Sequence, residues 1–109
     1  MKSPKSFGKP KRPHKRPRLI VRRVVGTSML PALRPGYVIV GASFRRLRPG
    51  ELVVIHHDGL EKVKRIQQMR FTEVFVTGDN PAESTDSRSF GWLPVDAVVA
   101  KVIWPRRHR

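Results

Sequence analysis

Leu52-Val53-Val54-Ile55-His56-His57-Asp58-Gly59-Leu60-Glu61-Lys62-Val63-Lys64-Arg65-Ile66-Gln67 is the stretch whose reading decides the fold. Two runs rich in β-branched residues flank Asp58-Gly59, a residue pair that tolerates the left-handed backbone of a two-residue hairpin turn. The stretch therefore predicts a hairpin of strands Leu52 to His56 and Leu60 to Gln67. Side chains alternate along a strand, so Lys62, Lys64 and Ile66 share one face of the second strand while Val63 and Arg65 share the other. Periodicity leaves open which lysine turns inward.

Outward from the hairpin, short β-branched runs continue between turn signals, with candidate strands at Leu19 to Val25, Tyr37 to Ala42, Val74 to Thr77 and Val98 to Trp104. Leu33-Arg34-Pro35-Gly36 and Leu47-Arg48-Pro49-Gly50 each feed a strand. Proline presets φ at the first central position of a type II turn and glycine supplies positive φ at the second. The fold class is thus mainly β, a small domain of short hairpins. Residues 78 to 91 form a long loop of Gly, Asn, Pro, Ser and Asp with little to bury, and Trp92-Leu93-Pro94 returns the chain to the core.

The 109 residues allow one domain with a modest core. The formal net charge of +15 suggests a nucleic-acid binder until the charges are located. Residues 1 to 18 hold eight Lys or Arg with no acid, residues 106 to 109 hold three Arg, and Leu19 to Pro105 has twelve basic and eight acidic residues. The excess sits mostly in the tails. Four prolines among the basic residues of 1 to 18 block helix, so this segment reads as a disordered tail, either simply solvated or an arm for an anionic partner such as nucleic acid or lipid. Residues 106 to 109 read as a second basic tail, leaving 19 to 105 as the folded domain.

Several chemistries are excluded or unsupported. Without cysteine there are no disulfides and no thiolate metal sites. His56 and His57 point to opposite faces of one strand and His14 and His108 lie in the tails, so the histidines read as surface or turn residues and no metal is expected. No phosphate-cradling glycine loop is present, and no cofactor is predicted. No apolar run reaches the roughly 18 residues of a spanning helix, nor does an apolar segment of adequate length follow the basic start. The expectation is a soluble, cytoplasmic protein.

One further stretch carries chemistry. Gly26-Thr27-Ser28-Met29-Leu30-Pro31 places a serine between a valine-rich run and a proline, with glycine freeing the backbone to bend. A lone serine there is ordinarily a turn residue bonding its own backbone. Three later blocks change the reading: Val63-Lys64-Arg65-Ile66, Gly78-Asp79-Asn80-Pro81 and Ser84-Thr85-Asp86-Ser87-Arg88. In this order, the blocks resemble the catalytic core of the type I signal peptidases, which are serine-lysine proteases, over roughly Val24 to Val102.

The resemblance implies a signal-peptidase-like catalytic β-domain with 78 to 91 as the active-site loop. It selects Lys64 over Lys62 as the general base for Ser28 and implies that Ser84 orients the lysine while Asp86 and Arg88 pair to brace the loop. Lysine serves as a base only when neutral, and at its reference pKa of about 10.4 deprotonation at pH 7 costs about 4.6 kcal/mol. The fold must therefore desolvate Lys64 and keep any unpaired carboxylate away from it. The resemblance implies the backbone N–H of Ser28 as the first oxyanion donor. Many family members add a hydroxyl two positions before the nucleophile; here that position is Gly26, leaving the second donor open between a backbone amide and a water. Met29 and Pro31 shape the turn and the substrate cleft, with core packing an equal role for Met29.

The compact size, the lack of an anchor before Ser28 and the run Gly78 to Gly91 are similar to the nickel-type superoxide dismutase maturation proteases. That resemblance implies a precursor with an N-terminal leader as partner, the nickel belonging to the substrate. The alternatives are signal-peptidase-like processing of secreted precursors, and a non-enzymatic basic β-domain that binds nucleic acid, which the tails favour and the near-balanced core does not.

Overall fold

A computed structural model describes residues 18–43 and 46–106. The basic tail expected over 1 to 18 lies outside the described residues except for Arg18, and the tail at 106 to 109 except for Arg106; His14 and His108 fall outside as well. Among the described residues, seven strands form one antiparallel sheet: β1 (Leu19–Arg23), β2 (Val38–Ala42), β3 (Leu52–His57), β4 (Leu60–Met69), β5 (Glu73–Thr77), β6 (Leu93–Pro94) and β7 (Val98–Trp104). Their order across the sheet is β1-β2-β7-β3-β4-β5-β6. The mainly β fold class holds.

The central strand shows why the sheet needs two cores. All four residues Leu52, Val53, Val54 and Ile55 are buried, which an alternating strand allows only when both faces are covered. Leu52 and Val54 pack with Val24, Met29, Leu33, Ile39 and Val102. Val53 and Ile55 pack with Ile66, Val74, Val76 and Leu93 on the other side. Val24 before Ser28 and Met29 and Leu33 after it reach the first cluster from the connection between β1 and β2, so the turn carrying Ser28 is anchored by apolar burial on either side of it in sequence.

The turn chemistry works as the residues require. Asp58 and Gly59 both take positive φ, 57° and 79°, the pair of left-handed residues of a type I′ turn. Gly36 and Gly50 stand at φ 94° and 96°, and the turns close through Tyr37 N–H to Arg34 C=O at 3.1 Å and Glu51 N–H to Arg48 C=O at 3.2 Å.

Some expectations are corrected. β1 ends at Arg23, because Val24 turns into the core and Val25 is exposed before Gly26 takes φ 82°. β2 begins at Val38, one residue after the predicted Tyr37. β4 runs on to Met69 through a register shift between Ile66 and Gln68, a bulge that periodicity does not encode. Leu93–Pro94 is itself a short edge strand against β5. The long loop is more ordered than expected: it holds a 3₁₀ turn at Pro81–Glu83 and a one-turn helix, α1, at Ser87–Phe90, and buries Asp86 and Ser87. Buried polar groups must be hydrogen-bonded, and these are: Asp86 caps α1 through Arg88 N–H, and Ser87 Oγ accepts from Val76 N–H. His56 is exposed, but His57 is half-buried and stacks on Phe90 with ring centroids 4.0 Å apart.

Candidate active site

The hairpin carries Lys64 inward. Lys64 stands opposite Val53 on β3 and two residues before Ile66, so it shares the face of two core residues. Only 3% of the residue remains exposed. Lys62 on the same face lies nearer the hairpin tip and stays partly exposed, its ammonium 5.5 Å from the centre of the Phe90 ring. Position along the strand separates the two lysines where periodicity could not.

A buried ammonium needs partners, and those of Lys64 come from the 78 to 91 loop. Its Nζ donates to Ser84 Oγ at 3.0 Å, and Ser84 Oγ donates in turn to Asp86 Oδ2 at 2.5 Å. Asp86 spends its other acceptor capacity on Gly78 N–H at 2.7 Å, Arg88 N–H at 3.1 Å and the Arg88 guanidinium, whose Nε sits 2.9 Å from Oδ1. A hydroxyl is thus interposed between ammonium and carboxylate.

The electrostatics follow from this arrangement. Burial pulls the Lys64 pKa below the ordinary lysine value; Asp86 opposes that shift, while the nearby charges of Lys62 and Arg88 reinforce it. Burial alone would push Asp86 up. The hydrogen bonds from Arg88, Ser84 and the Gly78 amide outweigh burial and hold its carboxyl well below the carboxylate range.

Ser28 and Lys64 line one groove of about 700 Å³. Its walls come from the end of β1 through Gly26, Ser28 and Met29 on one side, from Leu60 to Lys64 on another, and from Glu83 and Thr85 at the loop. Met29 is both a core residue and part of this lining. Pro31 is exposed and does not contribute to the groove wall.

The Ser28 turn and the loop are held together by close packing. A Cβ on Gly78 would overlap the Ser84 side chain and meet the Ser28 carbonyl oxygen at 2.7 Å, so only glycine lets the loop pass here. Asn80 ties the same two segments, its N–H donating to Ser28 C=O at 2.8 Å and its Nδ2 to Thr27 C=O at 3.0 Å.

Sequence reasoning missed two of these supports. Arg65 makes a two-pronged ion pair with Asp79, 2.9 Å from Nε and 2.7 Å from Nη2, and also donates to Gly50 C=O. This pair clamps the start of the loop to β4, on the strand face opposite Lys64. A cation beside Lys64 and an acid after Gly78 were visible as charges, but their pairing follows only from the β4–β5 register, in which Arg65 faces Thr77. Asn80 stands in the sequence only as one residue of the Gly78-Asp79-Asn80-Pro81 block, since nothing local shows a contact with residues about fifty positions earlier. On the rim, Arg22 pairs with Glu61, with Nε 2.6 Å from the carboxylate.

Among the described residues, no group of three or more His, Asp or Glu is placed to hold a metal ion, and no helix is long and apolar enough to cross a membrane. Residues 59–106, less than half of the 109, match the family model described as signal peptidase, peptidase S26. The match covers Lys64 and the whole loop from Gly78 to Gly91, and begins after Ser28. It supports the signal peptidase I family and a signal-peptidase-like serine peptidase activity acting on a precursor. No curated protein matches the chain.

Proposed function

We propose that this chain is a serine endopeptidase in which Ser28 is the nucleophile and Lys64 its general base, removing an N-terminal leader from a precursor protein. The observation that carries the reading is the state of Lys64: an almost fully buried amine, hydrogen-bonded to the neutral Ser84 hydroxyl, on the groove that Ser28 also lines. A lysine with its pKa lowered by burial is the kind of base this chemistry needs.

The reaction has two halves. Lys64 Nζ takes the Ser28 hydroxyl proton as Oγ attacks the scissile carbonyl, and the carbonyl oxygen becomes an oxyanion facing the Ser28 N–H. Collapse breaks the C–N bond, with Lys64 returning the proton to the leaving amine. A water then gives its proton to Lys64, attacks the acyl ester, and releases the leader while Ser28 regains its hydrogen. Ser84 orients the lysine, and Asp86 with Arg88 braces the loop. Gly26 keeps the approach open, and Met29 forms part of the cleft. Pro31 belongs to the turn and not to the cleft, since it lies off the groove.

The peptidase domain is residues 19 to 105, flanked by basic tails, and it acts in the cytoplasm on a precursor with an N-terminal leader. The finer reading takes the nickel-type superoxide dismutase proenzyme as that precursor, resting on the run from Gly78 to Gly91. The test is to incubate the purified chain with that proenzyme and measure the mass of the new N-terminus. Ser28→Ala and Lys64→Met should each abolish cleavage while leaving the fold intact by circular dichroism; cleavage surviving in either variant defeats the dyad. Cleavage of secreted precursors in place of the proenzyme would retain the dyad and replace the substrate.

A further inference from the structure

Asn80 grips the Ser28 turn at two successive carbonyls. Its backbone N–H donates to Ser28 C=O at 2.8 Å, and its Nδ2 donates to Thr27 C=O at 3.0 Å in a partly buried contact. Asn80 is itself held, because its carbonyl accepts from Glu83 N–H at 3.0 Å at the start of the 3₁₀ turn.

The Thr27 carbonyl and the Ser28 N–H belong to one planar peptide unit. That unit is trans, so its C=O and N–H point in opposite directions, and fixing the oxygen fixes the line along which the N–H is aimed. Leu30 N–H also reaches the Thr27 oxygen, at 3.2 Å, but from within the same turn. That bond closes the turn without setting its tilt toward the loop carrying Ser84 and Asp86. The side-chain amide of Asn80 supplies the tilt from outside.

We infer that Asn80 is a positioning residue for oxyanion stabilisation: its side chain orients the peptide unit whose N–H meets the developing charge. This rests on the Ser28–Lys64 reading and adds a role for a residue that touches neither substrate nor reacting atoms. The effect belongs to the transition state, because the oxygen accepts more strongly as it gains charge than as a ground-state carbonyl. Lys64 is bypassed, since the Asn80 amide donates to the Thr27 carbonyl while the Lys64 ammonium donates to Ser84.

The experiment compares the full-length wild type with Asn80→Leu, which keeps shape and neutrality while removing the donor, and with Asn80→Ala as a second variant should the leucine not fold. Three quantities are read on one cleavable peptide: kcat, KM, and inhibition by the matching peptide aldehyde, whose carbonyl carbon is attacked by Ser28 Oγ while its oxygen takes the negative charge. Deleting an oxyanion donor costs roughly a hundred- to a thousandfold, so misaiming one should lower kcat by about ten- to a hundredfold. KM should stay within about twofold, with aldehyde inhibition weakening in parallel with kcat. The acid limb of the pH–rate profile should not move. A rise in KM with kcat preserved, a displaced acid limb, or unchanged aldehyde inhibition would overturn the inference while leaving the dyad standing. Failure of both variants to fold would also overturn it, since Asn80 would then be structural. A wild type that neither cleaves any peptide nor reacts with the aldehyde defeats the dyad and this inference together.

Discussion

Arg88 and Asp86 act on Lys64 with opposite signs, which makes the pair a lever on the base. The Arg88 charge lowers the Lys64 pKa and Asp86 raises it, with burial the larger influence pulling it down. Replacing Arg88 with Met removes a repelling cation and strips Asp86 of its counter-charge, so the lysine should hold its proton to higher pH. The acid limb of kcat/KM is then expected to move alkaline, at a cost of about tenfold in rate at neutral pH for each unit moved. Asp86→Asn should shift the same limb toward acid. Stability answers separately: the Asp86 carboxyl is depressed on folding, so its stabilising contribution is complete above the ordinary value of 3.8 and is lost as pH falls below it. Thermal melts between about pH 5 and pH 2 should show a steep acid loss for the wild type and a shallower one for Asp86→Asn. Equal slopes would mean the carboxylate is not the group responsible.

At the scale of elements, the hairpin and the loop differ in how far they could be read from residues alone. Asp58-Gly59 names its own turn, because two left-handed positions in succession ask for that pair, and with it the path of β4 and the inward placement of a lysine were legible. The two Pro-Gly turns were legible for the same local reason. The loop from Gly78 to Gly91 was not, because its order comes from partners distant in sequence: Asp86 satisfied by Gly78 and Arg88, Asp79 by Arg65, and Asn80 by Thr27. A composition with little apolar surface therefore concealed a buried polar network. Gly78 is the point where this can be tested. A methyl there has no room against Ser84 and the Ser28 carbonyl, so Gly78→Ala should force loop and turn apart, destabilising by about 1–3 kcal/mol. That corresponds to roughly 4–8 °C of Tm per kcal/mol in a domain of this size. Differential scanning calorimetry measures the shift, and peptide cleavage should fall with it even at temperatures where the variant remains folded.

For the molecule as a whole, the question is whether its charge and its groove serve one purpose or two. Among the described residues, both hydrophobic clusters, with the partly buried residues packed against them, draw on side chains between Ile20 and Val102. Residues 1 to 17 carry seven Lys or Arg and no acid. If they form an arm for a polyanion, its binding should follow counterion release, in which log K falls with log salt at a slope near −0.9 for each phosphate neutralised. A chain beginning at Arg18 should then lose up to about 6 from the magnitude of that slope on duplex DNA, measured by fluorescence anisotropy across a salt series. Its melting temperature and its turnover of a short neutral peptide should stay unchanged, because the core and groove residues of the described chain run from Ile20 onward. A truncated chain that keeps the full slope would move polyanion binding onto the domain, where Arg48, Arg65, Lys101 and Arg106 line a second groove, and would favour the nucleic-acid reading. Loss of peptide turnover with the melting temperature preserved would instead tie the arm to catalysis, as an element that helps bring the precursor to the groove.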